Sequence, residues 1–405
     1  MRCRGLAVLA LSGLLLVGPA CAKEHFKLVK LKVGPFPIEA NRDREICQAI
    51  RLQGVAGMEV AVSEARSRRY RKGQVSSHHL VVYGYNGADA AAFPSGLVDD
   101  PGCGDFGPTD FFTRRSFLSG SGGEATEGNW TVTRVSMPGD LAQVVPTNPA
   151  NPGESVLVVN SHYFNVSSKR AHGYIKVALK LRPLDPRKRV VRQVIHSGAS
   201  DDIFVPPGST QTVTSAWRAD GQPNLATEGG VNPSVDTCVF TVASHMHKRG
   251  MEYTADYRSH GTTVALAKPW HDYIHPLILL RPVLDGVTGL LRAYTAENGF
   301  PEVAYACRYA NGVEGVEPKL GCEETPGVAP GIRLADAAAH GRSPLDSHAQ
   351  PCGQDGVNCD GKPCVPANLV FGPLSDDDMC ILTASIYDPL PGVAPEHACD
   401  LVFDY

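Results

Sequence analysis

Residues 174–189 read Tyr-Ile-Lys-Val-Ala-Leu-Lys-Leu-Arg-Pro-Leu-Asp-Pro-Arg-Lys-Arg, and this stretch decides how the chain is organised. Its first half is a short run of apolar and aromatic residues after Gly173, which is typical of a strand that follows a turn. Its second half carries two prolines and a basic cluster, and proline cannot donate a hydrogen bond to a β ladder. The sequence therefore predicts that a strand ends here, with a domain boundary between residues 187 and 188.

Runs of the same kind recur on both sides of this boundary. They are short, rich in Val, Tyr, Ile and Thr, and bounded by Gly, Pro, Asn or Asp, at residues 58–62, 79–85, 155–159, 238–243, 253–257, 303–308 and 379–387. With 41 glycines and 31 prolines, the chain favours turns and short strands over long helices. We predict an all-β protein with two antiparallel, jelly-roll-like β-sandwich domains in tandem, residues 23–187 and 188–405. The second domain carries a cysteine-containing insertion at about residues 311–371.

Composition narrows the class of protein. The chain has 405 residues, of which 43% are hydrophobic, enough to bury the cores of about two domains. Lys and Arg number 38 against 42 Asp and Glu, a net charge of −4 without long runs of one sign. This balance argues against a nucleic-acid partner and against binding to an anionic membrane surface.

The amino terminus has the features of an export signal. Arg2 and Arg4 precede an apolar stretch, residues 6–17, that is too short to span a bilayer, and Ala20-Cys21-Ala22 is a small-x-small cleavage site. We therefore expect a signal peptide at residues 1–22 and a mature protein that is secreted or periplasmic, without a transmembrane segment. Lipid modification at Cys21 is the alternative, but the residues before it match a lipobox poorly.

Ten cysteines remain after the signal peptide is removed. An even number behind an export signal predicts up to five disulfides in an oxidising compartment. A zinc cluster at Cys352, Cys359 and Cys364 is the alternative, but no C-x-x-C pair occurs there.

Three histidines of the first domain could bind a metal. His78 and His79 open a predicted strand, where successive side chains point to opposite faces, so they share a metal only if the backbone twists or different ring nitrogens are used. His162 ends an apolar strand. Taken singly, the adjacent pair also fits a surface or packed position, and the lone histidine fits a structural role.

The second domain offers a clearer pattern. In His245-Met-His247 the strand period of two places both imidazoles on one face, a good two-ligand clip, although two solvent-facing histidines would look the same. A third ligand would have to come from elsewhere, and Met379 follows a run of three aspartates. Two imidazoles and a thioether suit a copper ion that must be stable as Cu(I). Taken alone, a methionine at the start of a strand also fits a position in the apolar core.

Four motifs thus follow one another along the chain: His78-His79, His162-Tyr163, His245-Met246-His247 and Asp378-Met379-Cys380. In this order they resemble the copper type II, ascorbate-dependent monooxygenases, the family of peptidylglycine α-hydroxylating monooxygenase and dopamine β-monooxygenase. The resemblance lies in the order and spacing of the motifs, which extend over most of the mature chain. The sequences between the motifs show little similarity to the family.

The resemblance implies two mononuclear copper sites, one in each β-sandwich. The first three histidines would hold the copper that receives electrons from ascorbate. His245, His247 and Met379 would form the catalytic site, where O₂ and substrate meet and a C–H bond is hydroxylated. It also implies three disulfides: Cys307–Cys380, Cys238–Cys399 and Cys47–Cys103.

Three positions depart from the family pattern. The peptide-amidating members bind the substrate carboxylate with an arginine and a tyrosine, and the matching positions here hold Ala243 and Thr383. Without these charge-assisted contacts we do not predict peptide amidation, and the substrate stays an unidentified small molecule or peptide. The family's glutamine two residues before the lone histidine is the shorter Asn160.

Two other functions compete with the monooxygenase. The chain could be a copper-binding or structural β-sandwich protein without turnover, which the altered substrate positions favour and the retained ligands oppose. A zinc hydrolase would need a carboxylate base, for which Asp376, Asp377 or Asp378 are candidates, but the thioether argues against zinc.

Overall fold

The structure is a computed structural model that describes most of the chain. The described residues are 26–40, 42–70, 74–100, 103, 106–121, 126–165, 167–222, 232–266, 269, 277–284, 286–321, 365–371 and 378–402. Several predictions fall outside them: the signal peptide at residues 1–22, and the cysteines Cys322, Cys352, Cys359 and Cys364 of the insertion.

The first half of the chain forms eleven of the described strands and one short helix, α1 (Phe111–Arg114), besides a 3₁₀ turn at Ala90–Ala92. The strands are β1 (Lys27–Ile38), β2 (Arg42–Gln53), β3 (Glu59–Arg68), β4 (Val75–Tyr85), β5 (Leu97–Asp99), β6 (Arg115–Ser121), β7 (Thr126–Glu127), β8 (Trp130–Val135), β9 (Leu141–Ala142), β10 (Glu154–Asn165) and β11 (Ala171–Arg182).

Two antiparallel five-stranded sheets make the first β-sandwich, in the orders β1-β11-β3-β8-β7 and β5-β2-β10-β4-β6. The alternation of side chains along strand β11 explains this packing. Ile175 and Val177 are buried between the sheets, whereas the intervening Lys176 is only half-buried. The core draws on both sheets. Strand β10 is buried almost throughout, because a second cluster around Tyr85 and Phe111 covers its other face.

The second half forms the remaining described strands and two 3₁₀ turns, at Ser200–Asp202 and Pro395–His397. The strands are β12 (Arg189–Val190), β13 (Arg192–His196), β14 (Phe204–Val205), β15 (Ser209–Arg218), β16 (Thr237–His245), β17 (Gly250–Ser259), β18 (Thr262–Ala265), β19 (Ile278–Leu280), β20 (Val283–Leu284), β21 (Val287–Thr288), β22 (Leu290–Leu291), β23 (Glu302–Asn311), β24 (Leu320–Gly321), β25 (Val365–Pro366), β26 (Leu369–Val370) and β27 (Ile381–Tyr387).

The second β-sandwich packs the sheet β13-β27-β16-β19, with β22 also paired to β16, against the sheet β15-β23-β17-β18. Its core contains Trp217, Tyr253 and Tyr309, all fully buried. At the two ends of the predicted insertion, β24 pairs with β25 and β26 pairs with β14. The predicted all-β class with two antiparallel β-sandwiches is therefore what the chain adopts.

Covalent and apolar contacts connect these layers. Three disulfides form, Cys47–Cys103, Cys238–Cys399 and Cys307–Cys380, the same pairs that the family resemblance implies. A smaller cluster with Leu141 and Tyr387 joins the two halves of the chain, and there β12 pairs in parallel with β9. Within the described part of the chain, none of the helices has the length and apolar character needed to cross a bilayer.

Candidate metal centres

The clip of the second sandwich lies where β16 leaves its partner β27. The two strands are antiparallel, with Ala243 opposite Thr383 and His245 opposite Ile381. The pairing ends there, and His247 and Met379 lie on the two chain segments that extend past it.

The two imidazoles of the clip are close together. The ring centroids of His245 and His247 are 5.2 Å apart with an interplanar angle of 86°. Two imidazoles that share a metal at about 2 Å from each ligating nitrogen place their centroids roughly 5 Å apart, so this spacing suits one ion. His247 is buried and His245 half-buried. The site is thus reached from the side of His245.

Asp378 holds the two segments of this centre together. Its carboxylate accepts hydrogen bonds from the backbone N–H groups of His247 at 2.8 Å, Met379 at 2.9 Å and Arg249 at 3.2 Å. Burial raises the pKa of Asp378 to about 7, although these N–H donors favour the ionised form. The sequence offered Asp378 as a possible carboxylate for a zinc enzyme and as the residue before Met379 in the fourth motif, but did not identify this positioning role.

A second contact fixes the methionine from the core side. The Tyr309 hydroxyl donates to the Met379 carbonyl oxygen at 2.7 Å, and the adjacent Cys380 is bonded to Cys307 on β23, the same strand as Tyr309. The backbone of Met379 is therefore anchored on both sides.

In the first sandwich a β-bulge falls at the His-His pair. Strands β10 and β4 pair His162 with His79, but the next pair is Tyr163 with Ser77, so the register skips position 78. A bulge places two residues of one strand against one of its partner and re-aims a side chain. This is the backbone irregularity that adjacent histidines need in order to share a metal. The side chain of His78 itself lies outside the described residues.

His79 and His162 are neighbours, with ring centroids 5.6 Å apart and an interplanar angle of 69°. His79 Nε2 donates to Asn160 Oδ1 at 2.9 Å and to Glu45 Oε1 at 3.2 Å. Asn160 Nδ2 also donates to Glu45 Oε1, at 2.8 Å. A metal bound by His79 would consequently use its other ring nitrogen, Nδ1. The shorter amide at position 160 still reaches this histidine.

Glu45 was not identified from the sequence. Burial by itself raises the pKa of this carboxyl, but the hydrogen bond and positive charge of His79, the charge of His162 and the hydrogen bond of Asn160 together lower it to about 2. The buried carboxylate stays ionised beside the imidazole, an arrangement that orients metal-binding histidines in many proteins.

The described residues contain no group of three or more His, Cys, Asp and Glu side chains that could hold a metal. Each predicted site includes one ligand outside this set. The second-domain site includes Met379, which is a methionine, and the first-domain site includes His78, whose side chain is not described. What the structure brings together is the pair His79 and His162, the pair His245 and His247, and the backbone of Met379 beside His247.

Comparisons with known proteins do not assign this chain to a family. No protein-family model and no curated protein matches it. Among solved structures it is similar to the PBSX exported protein XepA, with 7% identity and a TM-score of 0.17 over 69% of this chain and 86% of that one. It is also similar to PBCV-1 VP54, with 7% identity and a TM-score of 0.24 over 91% and 95% of the two chains. Similarities of this size carry no argument about function.

Proposed function

We propose that the protein is a copper-dependent monooxygenase that hydroxylates a substrate C–H bond with O₂ and two electrons from ascorbate or a similar reductant. The observations that support this proposal are the closeness of the His245 and His247 rings and the Asp378 carboxylate, which accepts hydrogen bonds from the backbone N–H groups of His247 and Met379. Two imidazoles and a thioether form a soft, incomplete coordination sphere that suits copper.

His245, His247 and Met379 would hold the copper, which would supply the activation of O₂ and the hydroxylation of carbon. The net reaction converts one C–H bond, O₂, two electrons and two protons into an alcohol and water. The chain itself keeps the His245 and His247 rings 5.2 Å apart and holds the Met379 backbone through Asp378 and Tyr309. A preorganised ligand set avoids reorganisation during the reaction.

The first sandwich supplies the electron-entry site of the proposal. His79 and His162, with His78 at the bulge, would hold a second copper through nitrogen ligands alone. The Glu45 carboxylate beside His79 favours a positively charged site in a buried setting. Two coppers per chain are therefore expected.

We propose that the protein works outside the cytoplasm, after cleavage of the signal peptide. Its three disulfides support this location, because such bonds persist in oxidising compartments. Peptide amidation is not part of the proposal, since Ala243 and Thr383 provide neither a cation nor a phenol for a terminal carboxylate.

The test is copper content of the purified mature chain, followed by ascorbate-driven O₂ uptake in the same sample. We expect two coppers per chain and uptake that Met379→Ile abolishes, because this change keeps apolar volume but removes the thioether. Met137→Ile, at a half-buried methionine outside both histidine pairs, is the matched control and should leave uptake unchanged. A chain without copper after reconstitution contradicts the proposal, and two coppers without uptake favour a copper-binding protein that has lost turnover.

A further inference from the structure

The outward face of the sheet β1-β11-β3-β8-β7 is positively charged. Along β1 and β11 the residues that alternate with the cations, such as Leu31 and Val177, point into the core, so the cations face away from the sandwich. Five cations form no ion pair with any described acidic side chain, and we call them the basic face: Lys30, Lys32, Arg68, Lys176 and Lys180. Lys176 is half-buried and the other four are exposed.

The acidic side chains of this sheet are already engaged. Its five strands contain three acidic residues, and each of these is paired with cations outside the basic face. Glu64 and Glu127 pair with Arg66 and Arg134, and Glu59 pairs with Arg182 and Lys188. The net charge of the whole chain is −4, so the described part of this face concentrates positive charge on a chain that is slightly acidic overall.

Protection of a sheet edge explains only part of the basic face. Strand β1 is an edge strand, and lysines on such a strand discourage pairing with another chain. Lys176 and Lys180, however, lie on β11, which is paired with β1 on one side and with β3 on the other. Lys32 lies directly opposite Lys176, and like charges in this position destabilise an antiparallel pair. A negatively charged ligand would relieve this repulsion.

The basic face is a strip along the strands. It extends from the level of Ile175 to Lys180, five residues of β11 or roughly 17 Å. Going along β11, the order is Arg68 next to the partner of Ile175, Lys32 level with Lys176, Lys30 level with Ala178, and Lys180. A flat surface does not enclose a small anion, whereas a chain with repeated negative charges contacts several cations at once. The shape therefore fits an extended polyanion.

Nucleic acid and an anionic membrane fit this face less well than a polysaccharide does. Nucleic-acid bases stack on open aromatic rings, but the Lys176 ammonium lies over the rings of Trp130 and Tyr174, 4.7 and 5.6 Å from their centroids. Stable membrane binding needs an extended apolar surface beside the cations, and the exposed large apolar side chains on the described part of this face are Leu28 and Val62. Acidic polysaccharides need neither feature, and they are common outside the cell, where disulfides such as the three of this chain persist.

The basic face and the candidate metal centre of the first sandwich lie on opposite sides. His79 and His162 are on the outward face of the other sheet, together with Tyr83 and Val158. The residues that alternate with them, such as Leu80, belong to the core between the sheets. A polymer bound to the basic face therefore leaves the histidine pair uncovered.

We infer that the basic face binds an acidic polysaccharide outside the cell, through carboxylate or sulfate groups that pair with its four lysines and its arginine. The polymer lies along the strands of the first sandwich and holds the protein with its metal-binding side open. Binding of this kind requires neither copper nor O₂.

Binding of the full mature chain to immobilised polymers tests this inference. The probes are polygalacturonate, which carries carboxylates, dextran sulfate, which carries sulfates, and uncharged dextran. We expect binding to one or both acidic polysaccharides, weakening as salt is added, and no binding to dextran, because the attraction is between exposed charges. Duplex DNA and phosphatidylglycerol vesicles are measured alongside. Absence of binding to both acidic polysaccharides, or tighter binding to DNA or to vesicles, would overturn the inference.

A triple variant locates the site. Lys30→Gln, Lys32→Gln and Lys176→Gln combined should weaken binding to the acidic polysaccharide by about tenfold or more at low ionic strength. Binding should also become less sensitive to salt, because fewer charges take part. The change removes a like-charge contact between exposed or half-buried side chains, so urea unfolding should show no loss of stability. If the triple variant unfolds, Lys30→Gln alone, opposite Ala178, repeats the test with an expected loss of about two- to fivefold.

The matched control combines Arg187→Gln, Arg192→Gln and Arg258→Gln. It removes the same charge from exposed arginines outside the basic face that already have acidic partners, and it should leave polysaccharide binding nearly unchanged. Equal weakening by the two triple variants would show a general effect of net charge and overturn the inference. Binding is measured on the copper-free chain as well, where it should be unchanged, so that the inference succeeds or fails independently of the proposed oxidation.

Discussion

Single buried carboxylates hold both candidate centres together. Asp378 contacts the backbone of two candidate ligands, and Glu45 contacts the ring of a third. Both are buried and accept hydrogen bonds from N–H donors, but the pKa of Glu45 is lowered to about 2 whereas burial raises the pKa of Asp378 to about 7. Residues of this kind determine the position of a ligand without binding the metal, and they can be tested separately from the ligands.

Replacing Asp378 by Ala should lower bound copper from two to one per chain. The change also leaves three buried backbone N–H groups without their acceptor, so the free energy of unfolding should fall by about 2–4 kcal/mol. Metal analysis and urea unfolding measure the two effects. Asp388→Ala, which removes an exposed carboxylate at the other end of β27, is the control. Unchanged copper content in the Asp378 variant would show that this carboxylate does not position the site.

Replacing Glu45 by Gln should weaken copper binding at the first site by about 10–100-fold, because the neutral amide supports the His79 imidazole less strongly than a carboxylate. Competition with a copper chelator measures the affinity. Glu39→Gln alters a mostly exposed glutamate that pairs with Arg170 and should have no effect. The same affinity in both variants would remove Glu45 from the metal site.

At the scale of elements, strand β4 carries the first centre and depends on close packing with its surroundings. The bulge at position 78 interrupts the pairing of β4 with β10. Near the end of β4, the strand packs tightly against its neighbours at Gly84. A Cβ atom at Gly84 would lie 2.1 Å from the Pro146 ring and 3.1 Å from Leu118. The absence of a side chain therefore lets β4 approach its neighbours.

Gly84→Ala should consequently lower the free energy of unfolding by about 1–3 kcal/mol, through the shifts that overpacking imposes. Urea denaturation followed by circular dichroism measures this change. Gly153→Ala is the control, because its nearest neighbour would be 3.9 Å away and its backbone is not in the left-handed region. Equal stability of the two variants would contradict the close packing of β4.

On the scale of the whole molecule, one buried histidine couples stability to pH. The His196 ring is buried beside Tyr305, with 3.1 Å between Nδ1 and the tyrosine hydroxyl oxygen, and the Gly198 N–H donates to the same nitrogen at 3.1 Å. Burial lowers the pKa of His196 from 6.5 to about 4. Protonation is therefore easier in the unfolded chain.

The sign of the effect follows from proton uptake. Between pH 6.5 and pH 4 the unfolded state binds the extra proton, so the contribution of His196 to stability decreases as the pH falls, by about 3 kcal/mol at pH 4. The difference in the free energy of unfolding between wild type and His196→Asn should change by this amount across the window. The raised pKa of Asp378 has the opposite effect, because it lowers stability as the pH rises. Asp378 is present in both wild type and variant, so its contribution cancels when their free energies of unfolding are subtracted. Exposed His172→Asn should show no such change.

Some features of this protein can be derived from local sequence alone. Apolar alternation in residues 174–181 identifies a strand, and the close spacing of His245 and His247 in the sequence predicts neighbouring rings, which lie 5.2 Å apart although β16 ends at His245. Strand β2 was missed because it is rich in charged residues. Arg44 pairs with Asp99 at 2.6 Å and Arg51 with Glu154 at 3.0 Å, partners that no local pattern shows.

The sequence by itself determined the all-β class and the closeness of the His245 and His247 rings, because both depend on residues that are near one another in the chain. Tertiary structure alone decided that Glu45 lies against Asn160, 115 residues away, and that Asp378 bonds the backbone of His247, 131 residues away. It also decided that Ala243 and Thr383 face each other, 140 residues apart in the chain. Such contacts arise from strand register and sheet packing, which depend on the whole chain burying its apolar faces at once.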